Sequence, residues 1–218
     1  MIAEKYAEAR RHMVLSQLRP NRVTDDRIAD AMETVPREEF VPRNLRGVAY
    51  LDEDLEVAGG RYLIEPRVFG RLLQEAAVAP TDIVLDIACG TGYSAAVLGQ
   101  LAQAVVAVES DAELVAQASE TLTRLECDNV AVIEGALDKG NVKQGPYNVI
   151  HINGSISTAP QSLLDQLAED GRLICVLGTN PGVATVYRRR GESFFPRAAF
   201  DASVPPLPEL TRAAAFKF

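Results

Sequence analysis

The amino-acid sequence predicts an α/β fold, in which a mostly parallel sheet of seven strands follows an N-terminal helical addition and ends in an antiparallel C-terminal hairpin. From residue 82 onward, apolar stretches typical of buried strands alternate with stretches typical of helices, which indicates a parallel, doubly wound sheet. After Gly178, two β-like stretches flank a turn at Arg190-Gly191. The first 80 residues lack the alternation. We therefore distinguish an N-terminal helical region, residues 1–80, from an α/β region, residues 81–218, and expect both to form one compact unit.

Local patterns of apolar residues, caps and turns place the individual elements. In the N-terminal region, helices are predicted over 3–19, 25–35 and 66–77, the second capped by Thr24 and the third beginning at Pro66. Gly59-Gly60 predicts a turn, and residues 216–218 are expected to pack a final strand. In the α/β region, helices are predicted over 93–102, 112–125 and 161–168. Strands are predicted over 83–88, 105–109, 130–134, 147–153, 172–177, 184–187 and 193–195.

The stretch VLDIACGTGY, residues 84–93, reads as a strand, a glycine turn and the start of a helix. A second strand follows and ends at Glu109, which lies 19 residues past Gly90. Gly90 and Gly92 allow a tight turn and close approach of a ligand to the backbone. An acid at the position of Glu109 binds ribose hydroxyls in nucleotide-binding βαβ units. The pattern therefore predicts a nucleotide site at the carboxyl ends of the first two strands.

The charges around this unit favour a ligand without phosphate. Asp86 directly precedes the turn, where it would repel a pyrophosphate, and no Lys, Arg or His occurs from Leu72 through Thr123. S-adenosylmethionine carries positive charge and no phosphate, so it is the cofactor that we predict. Two alternatives stay open, because the looser G-x-G-x-x-A pattern of NAD sites also matches and a glycine turn can bind nothing. The residues predicted to bind the cofactor from this unit are Asp86, Ala88, Cys89, Gly90, Gly92, Glu109 and Ser110.

Composition argues against several classes of partner. A net charge of −8 disfavours nonspecific nucleic-acid binding and attraction to anionic membranes. No apolar run reaches the length of about 18 residues that a membrane span needs. The three cysteines form no C-x-x-C pair, so neither a disulfide framework nor a metal site is expected. Reduced thiols and an N-terminus without a signal peptide predict a cytoplasmic protein.

Several N-terminal stretches carry a family resemblance: MVLSQLR at 13–19, VTDDR at 23–27, AMETVPREEFVP at 31–42 and AY at 49–50. On these, the chain resembles the protein-L-isoaspartate O-methyltransferase family over nearly its whole length. The resemblance implies a seven-stranded, Rossmann-like fold of the kind found in S-adenosylmethionine-dependent methyltransferases. It also implies methyl transfer to the free carboxylate of isoaspartyl residues, which arise at damaged Asp and Asn sites, so that the partner would be a peptide or protein carrying isoaspartate.

The sequence departs from the family in the loop that carries its active-site serine. The family has Gly-x-Thr-Ile-Ser-x-Pro there, whereas this chain has GRYLIEP at 60–66, which puts Tyr62 at the Thr position and Ile64 at the Ser position. Ile cannot donate a hydrogen bond, and Glu65 adds negative charge beside it. We therefore predict weak or absent isoaspartyl activity and assign no catalytic residue. A shifted loop that supplies its donor from elsewhere is the alternative.

Two further loops differ from the family pattern. After the fourth strand, NGSIS at 153–157 replaces a small, Thr/Ala-rich loop. Gly135-Ala136-Leu137 replaces the usual Gly-Asp-Gly after the third strand, and Gly135 and Ala136 join the predicted cofactor residues on the adenine side. His151 is expected to be a core histidine rather than a base.

Two other functions stay open: methyl transfer to a different substrate, and cofactor binding by a non-catalytic scaffold. The predicted substrate-facing residues are Tyr62, Ile64, Asn153 and Ser155.

Overall fold

The structure is a computed structural model that describes residues 2–179 and 181–211, so the final strand predicted at 216–218 lies outside the described residues. None of the described helices combines the length and apolar character that a membrane crossing requires. The α-helices are α1 (Ile2–Met13), α2 (Asp26–Thr34), α3 (Pro66–Ala76), α4 (Tyr93–Leu101), α5 (Ala112–Arg124) and α6 (Gln161–Leu164). The strands are β1 (Leu55–Ala58), β2 (Arg61–Leu63), β3 (Ile83–Ile87), β4 (Ala104–Glu109), β5 (Val130–Glu134), β6 (Tyr147–Ile156), β7 (Leu167–Leu177), β8 (Val183–Arg190) and β9 (Ser193–Asp201).

Seven strands form one sheet in the order β5-β4-β3-β6-β7-β8-β9. The neighbours from β5 to β7 pair in parallel, and β8 and β9 add antiparallel pairs. The predicted fold class is therefore confirmed. Chain order reverses between β3 and β6, and in open α/β sheets the crevice at the carboxyl ends of the strands on either side of such a point is where ligands bind.

The N-terminal region packs directly against the sheet. Apolar side chains of both regions belong to one buried cluster, for example Leu18 and Phe69 with Val84. Near the glycine turn, the ring of Tyr93 contacts the ring of Phe40 at a centroid distance of 5.6 Å. This contact brings the N-terminal region to the carboxyl edge of the sheet, where the predicted site lies.

A short hairpin that the sequence pattern did not reveal covers the glycine turn. Strands β1 and β2 pair in antiparallel fashion, and the predicted turn Gly59-Gly60 joins them with positive φ angles of 55° and 74°. The side chains of Leu55 and Val57 face inward and are buried. Strands of four and three residues are too short to show a periodic pattern.

Several predicted boundaries were wrong. Among the strands, β7 begins at Leu167 rather than 172, β6 ends at Ile156 rather than 153, and β9 ends at Asp201 rather than 195. Helix α6 ends at Leu164 rather than 168, because Leu167 already pairs with Tyr147 in the sheet. Helix α2 is capped by Asp25, which accepts a hydrogen bond from the backbone of Arg27, and not by Thr24. The first helix is α-helical only to Met13 and continues as a π-helical turn over Val14–Leu18.

Candidate functional site

The glycine turn after β3 adopts the backbone conformation that its sequence predicts. Gly90 and Gly92 have φ angles of 55° and 98°, which disfavour any residue with a Cβ. A Cβ on Gly92 would also lie 3.2 Å from the side chain of Leu122. Ala88 shares the positive φ, and Cys89 closes the turn by accepting a hydrogen bond from the Gly92 amide at 2.9 Å. Four predicted cofactor residues thus form one tight turn.

Glu109, at the end of β4, is fully buried and faces this turn. Its carboxylate accepts hydrogen bonds from the backbone amides of Gly90 at 3.0 Å, Ser110 at 2.7 Å and Asp111 at 3.2 Å. These bonds hold the acid beside the glycine turn, as the spacing predicts for a ribose-binding group.

Arg61, on β2, donates hydrogen bonds to both carboxylate oxygens of Glu109. The guanidinium forms ion pairs with Glu109 at 3.0 Å and with Glu209 at 2.6 Å, and the Arg61 side chain is only 4% exposed. Burial lowers the pKa of Arg61, but the hydrogen bonds and charges of the two carboxylates outweigh it and raise the pKa above its ordinary value. Sequence reasoning missed both Arg61 and Glu209, because Arg61 stands at a variable position of the family loop.

Asp86 has a structural environment that its sequence position did not reveal. The fully buried carboxylate accepts a hydrogen bond from Ser94 at 2.6 Å and another from Asn153 at 3.0 Å. It also bonds to Nδ1 of His151 at 2.8 Å. Asp86 therefore ties β3 to α4 and β6, which positions the glycine turn.

His151 is a core side chain, which confirms the sequence-based expectation. It is fully buried, and its ring packs edge-on against Phe69 at a centroid distance of 5.7 Å. Its Nε2 atom has no hydrogen-bond partner among the described residues. Because Asp86 holds Nδ1 and the ring lies inside the core, His151 is not placed to accept a proton from a substrate in this conformation.

Cys89 is buried and inert as a nucleophile. Burial, together with the negative charges of Asp86 and Glu109, raises the pKa of its thiol well above the ordinary value. The thiolate is the nucleophilic form of cysteine, so this environment disfavours reactivity. Cys89 contributes to the site through backbone geometry.

Three of the four predicted substrate-facing residues surround one small cavity. Its volume of about 10 Å³ is space for one water at most. Ile64 is buried in its wall, so an apolar side chain stands where the family has a serine. Ser155 lies outside this cavity, since its amide and carbonyl bond to Pro205 and Leu207. The lining residues are Tyr62, Leu63, Ile64, Phe69, Cys89, Tyr93, Ser94 and Asn153.

Gly135 and Ala136 follow β5 at the same edge of the sheet. The Gly135 amide donates to the carbonyl of Glu109 at 2.9 Å, so the loop lies beside the end of β4. Ala136 is exposed. The contact of this loop with the adenine side of the cofactor stays a prediction.

The types of residue at this edge of the sheet are suited to binding S-adenosylmethionine. The turn, the acid at the end of β4 and the loop after β5 line the same edge of the sheet. In this conformation, however, the guanidinium of Arg61 holds the carboxylate that ribose hydroxyls would bind.

Comparison with known proteins identifies the relatives of the chain. The model of the protein-L-isoaspartate(D-aspartate) O-methyltransferase family matches residues 9–200. A Koribacter versatilis protein-L-isoaspartate O-methyltransferase is 38% identical over 182 residues, which cover 84% of this chain and 82% of that protein. A Marinobacter nauticus protein-L-isoaspartate O-methyltransferase 2 is 35% identical over 206 residues, which cover 92% of this chain and 93% of that protein.

Solved structures show the same fold. A protein-L-isoaspartate O-methyltransferase has a TM-score of 0.80 at 24% identity and covers 92% of this chain and 67% of its own. A second structure is that of a Plasmodium falciparum protein assigned to the same activity, in complex with S-adenosyl-L-homocysteine. It has a TM-score of 0.79 at 21% identity, and the match covers 92% of this chain and 98% of that chain. The chain belongs to the protein-L-isoaspartate(D-aspartate) O-methyltransferase family, and it is a S-adenosylmethionine-dependent methyltransferase of that type.

Proposed function

We propose that this chain transfers a methyl group from S-adenosylmethionine to the carboxylate of an isoaspartyl residue in a damaged peptide or protein. The observation that carries this proposal is the extent of the family match, which spans both the N-terminal region and the glycine turn. We also place the protein in the cytoplasm. Its three free cysteines, Cys89, Cys127 and Cys175, support a reducing compartment.

The cofactor would be held by the glycine turn, Glu109 and the loop after β5. When bound, S-adenosylmethionine supplies an electrophilic methyl group on a sulfonium. Glu109 would bind the ribose hydroxyls, and Gly135 with Ala136 would border the adenine. Asp86 supports the turn from inside the core through Ser94 and Asn153. The task of these residues is to position the reactants and exclude water.

An anionic acceptor suits the chemistry of the site. A carboxylate with an ordinary pKa of about 4 is already ionised at neutral pH and needs no general base. His151 is buried against Asp86, and the raised pKa of Cys89 keeps its thiol protonated. Neither side chain is arranged to remove a proton, so an acceptor that has none to lose is the one favoured.

Ile64 is expected to slow the reaction. Losing one hydrogen-bond donor to a developing transition state costs about 10²–10³ in rate at well-studied oxyanion sites. Methyl transfer neutralises charge rather than creating an oxyanion, so the penalty here is smaller at the chemical step. Repulsion between Glu65 and an anionic substrate is weaker than the sequence alone indicates. Glu65 pairs with Arg67 at 2.7 Å, which offsets its negative charge.

A second candidate function is methyl transfer to a less anionic acceptor. The specific observation is the apolar wall of Ile64 and Phe69 around the small cavity. Tyr62 is partly exposed at the same place and offers one hydroxyl. An acceptor with a neutral, apolar surface would match this wall better than an isoaspartyl carboxylate does.

A methyl-transfer assay with radiolabelled S-adenosylmethionine distinguishes these functions. Isoaspartyl peptide and total cell extract serve as alternative acceptors for the parent protein. Labelling of peptide supports the proposal, whereas labelling of extract components alone supports the second candidate. Cofactor binding without turnover on either acceptor indicates a non-catalytic scaffold.

Two variants test the role of Ile64 with matched shapes. Replacing buried Ile64 by Ser removes most of its packing, and comparable truncations cost about 2–5 kcal/mol of stability. Ile64→Thr keeps the branch at Cβ and adds a hydroxyl, and Ile64→Val, which matches Thr in shape, is the control without it. In a Tyr62→Thr background, we expect the Thr variant to gain peptide methylation and the Val variant to gain none. A parent rate of about 1 s⁻¹ or more would contradict this prediction.

A further inference from the structure

We propose that Arg61 closes the ribose end of the cofactor site through a clasp formed by Arg61, Glu109 and Glu209, so that the cofactor binds only after Arg61 releases Glu109. This inference rests on the proposed binding of S-adenosylmethionine by Glu109. It adds a conformational step before binding, which the family membership does not describe.

The first argument is that the carboxylate of Glu109 has no hydrogen-bonding capacity left. Arg61 donates from Nε at 3.0 Å and from Nη2 at 3.0 Å. The backbone amides of Gly90, Ser110 and Asp111 donate to the same two oxygens. A carboxylate offers about four lone-pair sites, so ribose hydroxyls would have to displace an existing donor. The Arg61 side chain is the donor that can rotate away.

The second argument is that Glu209 holds Arg61 from the opposite side. Its carboxylate accepts from Nη2 of Arg61 at 2.6 Å and from Nη1 at 3.3 Å. The Ser110 hydroxyl accepts from Arg61 at 2.9 Å and donates to Glu209 at 3.1 Å. Ser110, a predicted cofactor residue, is thus also part of the closed arrangement.

The third argument is that the chain following β9 is built to present Glu209. The Leu207 amide donates to the carbonyl of Ser155 at 2.9 Å, and the Ser155 amide donates to Pro205 at 2.9 Å. Gly154 has a φ of 145°, and a Cβ there would lie 2.7 Å from Leu207. The segment 202–210 therefore seats against the end of β6, which directs Glu209 toward Arg61.

The contacts of Glu109 explain why Arg61 can leave it and why a bound Arg61 opposes the cofactor. Without Arg61, Glu109 keeps its three backbone donors, and a guanidinium that has left the clasp is hydrated, so neither charge is left without partners. The ribose hydroxyls of the cofactor and the guanidinium of Arg61 are both hydrogen-bond donors to the same carboxylate. The two therefore compete for Glu109.

Calorimetry with S-adenosyl-L-homocysteine tests the clasp without relying on turnover. We expect Arg61→Gln to bind about tenfold more tightly than the parent, because apparent affinity scales with the open fraction of the protein. Arg67→Gln is the matched control, since Arg67 pairs with Glu65 and Asp52 outside the clasp and should leave affinity unchanged. Thermal unfolding verifies that each variant is folded.

Glu209→Gln is the second variant, at a side chain that is 42% exposed and tolerant of change. It should tighten binding less than Arg61→Gln does, and it should add nothing in the Arg61→Gln background. Equal or weaker binding by a folded Arg61→Gln variant, when the parent binds, overturns the clasp and leaves the cofactor site standing. If neither the parent nor this variant binds, the proposed cofactor site fails and the clasp fails with it.

Discussion

Arg37, in the segment after α2, joins that segment to the loop that carries Ile64, and its removal gives a sharp test of the fold around the site. The side chain is fully buried, yet no carboxylate among the described residues pairs with it. It donates instead to the carbonyls of Ala49 at 2.8 Å and Ile64 at 2.9 Å, and its guanidinium lies 4.8 Å from the ring centroid of Tyr93. Burial lowers the pKa of Arg37, but an arginine stays charged in proteins.

The magnitude for Arg37→Met follows from these contacts. Two buried carbonyls, of Ala49 and Ile64, lose their donor at about 1–3 kcal/mol each. Loss of a desolvated cation–π contact with Tyr93 adds about 2 kcal/mol. Relief from burying an unpaired charge works in the opposite direction by about 1–4 kcal/mol. The midpoints of these ranges sum to a net loss of about 3.5 kcal/mol, a large share of the stability of a typical domain.

Urea denaturation measures this loss as a shift of the midpoint at an unchanged slope. Arg46→Met is the matched control, because Arg46 pairs with Glu39 at 3.3 Å in a partly exposed position. Such surface pairs contribute about 0–1 kcal/mol, so the control should lie close to the parent. Equal stability of the two variants would refute the argument that the carbonyls depend on Arg37.

Two further predictions concern the site and its surroundings. Glu109→Ala should weaken binding of S-adenosyl-L-homocysteine by about 1–3 kcal/mol in calorimetry, because charge-assisted bonds to the ribose are lost; unchanged affinity would remove Glu109 from the site. Burial and the nearby charge of Glu65 raise the pKa of Asp54 to about 6, so the native state binds more protons than the unfolded chain between pH 4 and 6, and this group's contribution to stability falls as the pH rises through that window. The free energy of unfolding of Asp54→Asn, relative to the parent, should therefore increase across that window in urea titrations, and parallel profiles for the two proteins would contradict the assignment.

The sheet could be predicted from the sequence because each of its strands depends on a local pattern. The strand at 130–134 and the beginning of β3 at Ile83 agree with the structure, since continuous apolar runs bounded by turns need no knowledge of their partners. The end of α6 could not be predicted in this way. Residues after Leu164 have no decisive pattern, and pairing of Leu167 with Tyr147 settles their conformation.

The site was predictable only in its local part. Glycine turns and the spacing to Glu109 are local features, and they appear in the structure as expected. An acid before the turn is compatible either with binding a ligand or with internal hydrogen bonds. For Asp86, that choice is decided by His151 and Asn153, which lie 65 and 67 positions away. The role of Arg61 likewise depends on Glu109 and Glu209, which are distant from it in the sequence.

The clasp joins residues that leave the ribosome at very different times. Glu109 follows Arg61 by 48 positions, whereas Glu209 follows it by 148. At synthesis rates of about 5–20 residues per second, the last member is added several seconds after the second. During that interval Glu209 is not yet present to hold Arg61. The clasp can therefore close completely only after the C-terminal segment that carries Glu209 has been made.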